Sequence, residues 1–275
     1  MPELPEVEVT RRGLSCTVGN TVTGADVRTA KLRDPVPDLA KVLKGLKLAG
    51  IDRRAKYLIW RFEDAEGKTA GWLVTHLGMS GFWRLWPNPA PAPRRHDHID
   101  ITIGPWTARL TDPRRFGTVL WMTEDPYKQK PLKDLGPEPF DGELTAERFW
   151  KTLHAHKTSV KAVLLSGEAA VGCGNIYCSE TLFEAGIRPT RRADRVTKKE
   201  AERLLAAIRG ILERAIKAGG TTLRDFHGPG GQDGYFALEC KVYGREGEKC
   251  PVCGCEIKRI VQNGRSSYFC PHCQK

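Results

Sequence analysis

Two cysteine pairs near the C-terminus, Cys250-Pro-Val-Cys253 and Cys270-Pro-His-Cys273, restrict the fold more tightly than any other feature of this sequence. Each Cys-x-x-Cys turn presents two thiolates to one point, and four thiolates at tetrahedral corners make a closed zinc site. The segment between the pairs has to double back, so residues 256–269 are expected to form a short hairpin around Gly264. The expected ligands are Cys250, Cys253, Cys270 and Cys273, holding one structural Zn2+ in a four-cysteine zinc ribbon. Cys255 stands close enough to compete, but Cys253 repeats the spacing of the second pair and is favoured; His272, between two ligands, is read as a bystander. Four thiolates leave no position for water, so this metal holds a shape and does no chemistry. Nine cysteines, an odd number with four gathered in these pairs, argue for metal thiolates over a disulfide framework.

The opposite end carries the reactive chemistry. The chain opens Met1-Pro2-Glu3-Leu4-Pro5-Glu6-Val7-Glu8, and loss of Met1 leaves a proline secondary amine beside several carboxylates. An α-amino group has a pKa of about 7.7 to 8, against about 10.4 for lysine, so a useful fraction is neutral and nucleophilic near neutral pH. A secondary amine that attacks a sugar carbon or an aldehyde yields an iminium, which keeps its positive charge without an added proton and serves as an electron sink. Proline in a first helical turn is also ordinary helix-start chemistry, so the opening alone leaves both readings standing.

With 275 residues the chain is long enough for two modest cores. Lys and Arg number 44 against 33 Asp and Glu, a net charge of +11, and such an excess without long basic tails points to a basic face directed at nucleic acid. No stretch approaches about 18 consecutive apolar residues, and the acidic opening lacks the basic-then-apolar order of a signal peptide. A soluble, intracellular protein is the expectation.

Pro5 to Ser15 reads as a first helix, with Gly19-Asn20 ending it. Strand-like runs follow at Val22 to Arg28, Leu46 to Ile51, Tyr57 to Phe62, Gly71 to His76, Gly81 to Trp86, His98 to Ile103 and Thr107 to Met122, together suggesting a β-sandwich. Prolines at 87, 89, 91 and 93 mark a surface loop. Helices are expected at Thr145 to His154, Ser159 to Leu165, Asn175 to Ala185 and Thr197 to Ala218, the last with a Thr197–Glu200 capping box and one apolar stripe. The fold class is therefore α+β. An N-terminal helix with a β-sandwich spans 1–124, a linker 125–143, a helical domain 144–238 and the zinc finger 239–275.

Six segments carry a family resemblance as well. With the Pro-Glu-Leu-Pro-Glu-Val-Glu opening, Ala55-Lys56-Tyr57-Leu58, Thr75-His76-Leu77-Gly78-Met79-Ser80-Gly81, Asp112-Pro113-Arg114-Arg115-Phe116-Gly117, Gly174-Asn175-Ile176-Tyr177 and the terminal ribbon, the chain resembles formamidopyrimidine-DNA glycosylases along its full length. The resemblance implies a monomeric base-excision repair enzyme of the bacterial cytoplasm, working at the nucleoid. It would remove oxidised purines such as 8-oxoguanine and formamidopyrimidines from double-stranded DNA and cleave the strand at abasic sites.

The resemblance also assigns residues. Pro2 would be the nucleophile, Glu3 the general acid/base at the sugar ring oxygen, Glu6 a supporting carboxylate, and Lys56 a catalytic-site lysine that reaches a phosphate. Met79, Arg114 and Phe116 would fill the gap left by a flipped nucleotide, and His96 joins them as a DNA contact. Asn175 would approach a phosphate from the turn of a helix-two-turn-helix unit, and Arg265 would grip two phosphates from the hairpin tip. Gly228 to Tyr235 falls where the family has a lesion-capping loop, expected to be mobile without substrate.

Some positions depart from the family pattern. Ser166-Gly167 stands where an Asp-Gln pair is common, and Cys173 and Cys178 replace small residues. The His96-Asp97-His98-x-Asp100 segment has metal-ligand residue types, but on a strand His96 and His98 face away from Asp97, which disfavours a second metal there. Two rival readings are an endonuclease VIII-like enzyme for oxidised pyrimidines and a non-catalytic zinc protein that binds damaged DNA. The opening and the Lys-Val-Tyr-Gly-Arg run at 241–245 favour the purine enzyme.

Overall fold

The computed structural model describes residues 1–220 and 240–275. Gly228 to Tyr235 lies outside the described residues. Those described fall into two compact units, 1–134 with 218–220 and 135–217 with 240–275.

The first unit begins with helix α1 (Leu4–Leu14), which tightens into a 3-10 turn at Ser15–Thr17 and so stops short of Gly19. Eight strands follow: β1 (Val22–Val27), β2 (Lys47–Arg54), β3 (Tyr57–Glu63), β4 (Thr69–His76), β5 (Phe82–Pro87), β6 (Asp97–Ile103), β7 (Trp106–Thr111) and β8 (Thr118–Met122). They form two antiparallel sheets, ordered β1-β6-β7-β5 and β2-β3-β4-β8. A short helix, α2 (Leu39–Leu43), had no clear periodic signal in the sequence. Inward residues of both sheets share one core, in which Trp60 meets Trp83 edge-on at 5.2 Å and the Leu14 and Val7 face of α1 is buried. An edge-to-face indole pair sets the negative face of one ring on the positive rim of the other, which adds to the burial of both.

One expected strand divides. Thr107 to Met122 reads as one run because both its ends are rich in β-branched and aromatic residues, but residues 112–117, Asp-Pro-Arg-Arg-Phe-Gly, leave sheet β1-β6-β7-β5 at the end of β7 and lead into β8 of the other sheet. Pro113 has no N–H for a ladder and Arg115 takes a left-handed φ of 56°, so the run cannot stay extended. The connection from β4 to β5 through residues 77–81 makes the reverse crossing.

The second unit holds α3 (Ala146–His154), α4 (Val160–Ser166), α5 (Asn175–Glu184) and α6 (Lys198–Lys217). Thr145 and Ser159 cap α3 and α4 by accepting from the N–H groups of Arg148 and Ala162. At α6, Thr197 N–H donates to Glu200 at 2.9 Å and Glu200 N–H donates back to the Thr197 hydroxyl, the reciprocal pair expected from the sequence. The stripe Leu204, Leu205, Ile208, Ile211 and Leu212 is buried, each side chain contributing about 1.5–3 kcal/mol relative to exposure. β9 (Lys258–Gln262) and β10 (Arg265–Phe269) form the ribbon hairpin, joined by Asn263-Gly264 with φ of 50° and 71°. Positive φ at both turn residues matches the twist of the two strands.

Two buried ionic side chains bind the ribbon to the helices. Glu180 on α5 accepts from three consecutive N–H groups, those of Lys241, Val242 and Tyr243, at 2.8, 3.0 and 2.8 Å. Lys161 on α4, fully buried, donates to the Ser266 carbonyl at 3.0 Å and the Ser267 hydroxyl at 2.7 Å. Hydrogen bonds to charged groups are worth more than neutral ones, and a Gln at 180 would turn an amide toward donors. Glu180→Gln is expected to lower stability by about 2–4 kcal/mol, read from the midpoint of urea unfolding on zinc-loaded protein.

Candidate active site and DNA interface

The first turn of α1 concentrates buried acid. Pro2 is buried, Glu3 and Glu6 are 2% and 0% exposed, and Glu8 is buried one turn further on. The helix start makes this tolerable, because its free N–H groups and positive dipole end favour carboxylates. Glu6 Oε2 accepts from the Glu3 N–H at 2.8 Å, and the Glu3 side chain answers the Glu6 backbone in a capping box. Gly220 lies against the outer side of Glu6. A Cβ at that position would stand 3.1 Å from Glu6 Oε1, and its φ of +85° suits glycine alone.

Glu8 fastens α1 to the hairpin that carries Lys56. Its carboxylate meets Arg11 at 2.9 Å, Arg12 at 2.8 Å and Arg53 on β2 at 3.3 Å, while Arg53 also donates to the Ala55 carbonyl at 3.0 Å. Burial alone would raise the Glu8 carboxyl, but the hydrogen bonds from Arg11 and Arg12 and the charges of Arg11 and Arg53 outweigh it and hold it down to about 2. Ala55 and Lys56 are the two residues of the tight β2–β3 turn, with Ala55 in the left-handed region at φ 53°. Tyr57 packs on His76 across the β3–β4 pair at 4.7 Å between ring centres. Burial, with the nearby Lys56 and Arg33 charges, pushes His76 down to about 4, so its ring is neutral at physiological pH. Its Nδ1 accepts from the Gly78 N–H at 3.0 Å, which leaves the ring proton on Nε2.

Both loops that cross between the sheets converge on Asp112. This fully buried carboxylate accepts from the Ser80 hydroxyl at 2.8 Å, the Arg114 N–H at 3.3 Å and the Gly117 N–H at 2.8 Å. Its backbone N–H donates to the His96 carbonyl at 3.0 Å, and its carbonyl lies 2.9 Å from His98 Nε2. Gly78 completes the junction: at φ +64°, an added Cβ would come within 2.4 Å of the Phe116 backbone. Met79 and Phe116, 38% and 46% exposed, are therefore held out of the core by backbone fixed beneath them. Exposed Arg114 sets its guanidinium 5.0 Å from the Phe116 ring centre. The structure thus brings Arg114 and Phe116 together beside the Gly78 that precedes Met79, whereas His96 reaches this junction through its carbonyl and its half-buried side chain lines a cavity with Phe82, Arg84, Trp86 and Arg109. Asp97 and Asp100 are engaged elsewhere, Asp97 by Thr111 and the Arg94 N–H and Asp100 by a bidentate Arg109 at 2.7 Å in both contacts.

In the second unit, Asn175 opens α5 and its amide donates to the Ser266 carbonyl at 2.9 Å, beside the bond from Lys161 to the same oxygen. Arg265, next in sequence, is exposed at the start of β10. Sulfur atoms of Cys250, Cys253, Cys270 and Cys273 lie within 4.8 Å of one another, with Cys253 and Cys270 at 3.4 Å and Cys250 and Cys273 at 3.9 Å. A tetrahedral zinc with bonds of about 2.3 Å sets its sulfurs about 3.8 Å apart, so the donor set and spacing fit that ion. These four thiolates hold one structural zinc.

Comparison with known proteins accounts for these features together. Residues 1–119 match the formamidopyrimidine-DNA glycosylase N-terminal domain, residues 135–227 the H2TH domain of the same enzymes, and residues 247–275 the zinc finger found in FPG and IleRS. The chain belongs to the formamidopyrimidine-DNA glycosylase family. It is 50% identical over 282 residues to the formamidopyrimidine-DNA glycosylase of Burkholderia thailandensis, with 100% of each chain covered. Among solved structures, the Lactococcus lactis enzyme in complex with DNA containing Fapy-dG is similar with a TM-score of 0.87 and 35% identity, over 99% of this chain and 100% of that one. Its complex with DNA containing an abasic site gives 0.88 and 34%, over 99% of each.

Sequence reasoning left out the residues that hold the family's motifs in place. Glu8 had a visible signal, since Arg11 and Arg12 follow at i+3 and i+4, spacings that face one another on a helix. Ser80, Asp112, Glu180 and Lys161 had none, because their partners are distant in sequence. His76 gives the local arrangement a pH signature. The unfolded ring takes a proton near 6.5 and the folded one near 4, so the unfolded chain binds more protons between these values and stability falls as pH drops from 6.5 to 4. His76→Gln is expected to flatten that slope, removing about 3 kcal/mol of pH dependence, as measured by urea unfolding at pH 4.0 to 7.5 in wild type and variant.

Proposed function

We propose that this chain is a base-excision DNA glycosylase and abasic-site lyase that removes oxidised purines, 8-oxoguanine and formamidopyrimidines, from double-stranded DNA. The observation that carries the reading is the exposed set Met79, Arg114 and Phe116, fastened through Asp112. An enzyme that works at C1′ must take the nucleotide out of the stack and support what remains. Two apolar groups replace the lost stacking, and an arginine bonds the unpaired opposite base.

The chemistry follows from α1. After Met1 is removed, the Pro2 nitrogen attacks C1′ of the extruded nucleotide, the bond from C1′ to the base nitrogen breaks, and the base leaves with a proton. Glu3 protonates the ring oxygen O4′ as the sugar opens, giving an iminium between Pro2 and C1′. Loss of the C2′ proton expels the 3′ phosphate, and a second elimination through the conjugated system expels the 5′ phosphate. Water then hydrolyses the iminium and frees Pro2. Glu6 orients the Glu3 backbone through its 2.8 Å bond, and Lys56 meets a phosphate on the lesion side. His96 joins the wedge residues against the duplex, Asn175 takes a phosphate with its remaining amide hydrogen, and Arg265 takes two.

The work divides along the chain: 1–124 catalyses, 125–143 links, 144–238 binds DNA, and the finger at 239–275 presents Arg265. No helix among the described residues is long and apolar enough to cross a membrane. The substrate, chromosomal DNA, places the proposed action in the cytoplasm at the nucleoid.

Borohydride trapping tests the nucleophile. On a duplex with 8-oxoguanine opposite cytosine, a stable cross-link should form at the N-terminal residue of protein lacking Met1, verified by intact mass, and Pro2→Gly should reduce it sharply. A cross-link formed mainly on a dihydrouracil duplex would move the protein to the pyrimidine-directed branch, and none on either would leave a DNA-binding protein without catalysis. For Arg265, a residue that neutralises one or two phosphates contributes about 0.9 per phosphate to the slope of log affinity against log salt. Arg265→Ala should therefore reduce that slope by about 1 to 2 on abasic-site duplex, while an unchanged slope would remove Arg265 from the phosphate contacts.

A further inference from the structure

The structural zinc does not account for every metal-binding side chain in the ribbon. Cys253, Cys255 and His272 form a second group, one ligand atom from each lying within 4.8 Å of the others. Local backbone geometry produces this proximity. Gly254 turns at φ +75°, its N–H donates to the Cys250 carbonyl at 2.9 Å, and the Cys250 N–H donates to the Cys255 carbonyl at 2.7 Å. The chain therefore folds back after Cys253 and leaves Cys255 beside the cluster. His272 comes from the other knuckle, where the Cys273 N–H donates to Cys270 Sγ at 3.4 Å and the imidazole stands exposed.

Two sulfurs and an imidazole suit zinc and softer divalent ions, and discriminate against magnesium and calcium, which take oxygen ligands. Three protein ligands leave the fourth tetrahedral position to water, and the exposed imidazole and half-exposed thiols make the group reachable from solvent. Cys253 belongs to both groups. A thiolate sulfur has more than one lone pair, so it can donate to two ions at once. We propose that Cys253, Cys255 and His272 bind a second divalent metal ion, zinc or cadmium by chemistry, with the Cys253 thiolate bridging it to the structural zinc. The second ion is held more weakly than the first, because it has one ligand fewer, shares another, and faces water. This assignment stands apart from the glycosylase reading, since it concerns only the ribbon.

Metal content of the full-length protein tests it. Wild type, Cys255→Ser and His272→Gln are each equilibrated by dialysis against a series of buffered free Zn2+ concentrations, and bound zinc is measured by elemental mass spectrometry. Wild type should rise from one to two ions per chain, and both variants should stop at one. Addition of Co2+ to protein already holding its first zinc should give sulfur-to-metal charge-transfer absorption in wild type and none in Cys255→Ser. A plateau of one ion in wild type overturns the proposal, as does a second ion retained by both variants. A Cys255→Ser protein that holds no zinc also overturns it, since Cys255 would then belong to the structural site itself.

Discussion

The carboxylate of Asp112 is the point on which the N-terminal unit turns. A sandwich of two sheets needs the chain to pass from one layer to the other, and here the passages after β4 and after β7 lie side by side. Crossing loops carry backbone donors that no ladder satisfies, and a buried orphan N–H costs about as much as a lost hydrogen bond. Asp112 answers the N–H groups of Arg114 and Gly117 and the hydroxyl of Ser80 with two oxygens, and its own peptide group reaches His96 and His98. Loops that would ordinarily be the soft part of a sandwich thus share one rigid knot. The surface expected to replace a displaced base is built on that knot.

A similar economy governs the acidic helix start. Three glutamates in and beyond one turn are all buried, yet they have different partners. Glu6 is tied to the Glu3 backbone within the helix, whereas Glu8 is neutralised by three arginines, one of which comes from β2 and also holds the Ala55 carbonyl. The arginine cluster therefore removes one negative charge from the neighbourhood of Pro2 and fixes the Lys56 turn against the helix. In the second unit, Glu180 and Lys161 do the corresponding work for the ribbon, fixing its entry and its β10 strand to α5 and α4.

Features set by short-range rules were legible in the sequence. The zinc ligands follow from a repeated two-residue gap, the α6 start from a Thr and a Glu three residues apart, and the ribbon hairpin from Gly264 midway between the two cysteine pairs. The exposure of Met79 and Phe116 was open on residue type alone, since both are core-type residues, and it was the family resemblance that placed them at the surface. What pattern could not supply is long-range pairing. The Ser80–Asp112 bond across the two crossings and the Lys161–Ser266 contact join segments with no local signal of their partner, whereas the break after Thr111 had one in Asp112-Pro113. Helix α2 is only five residues long, less than two turns, and leaves too short a periodic trace to be read.

The fastening at Asp112 uses Arg114 only through its backbone N–H, Met79 only through its neighbours Gly78 and Ser80, and Phe116 only through the main chain beneath Gly78. Scaffold and exposed surface are consequently separable in this unit. Side chains at 79, 114 and 116 can be exchanged as letters are in a type block, altering what this surface presents without disturbing the frame that holds it, whereas a length change in either crossing loop would have to be matched in the other.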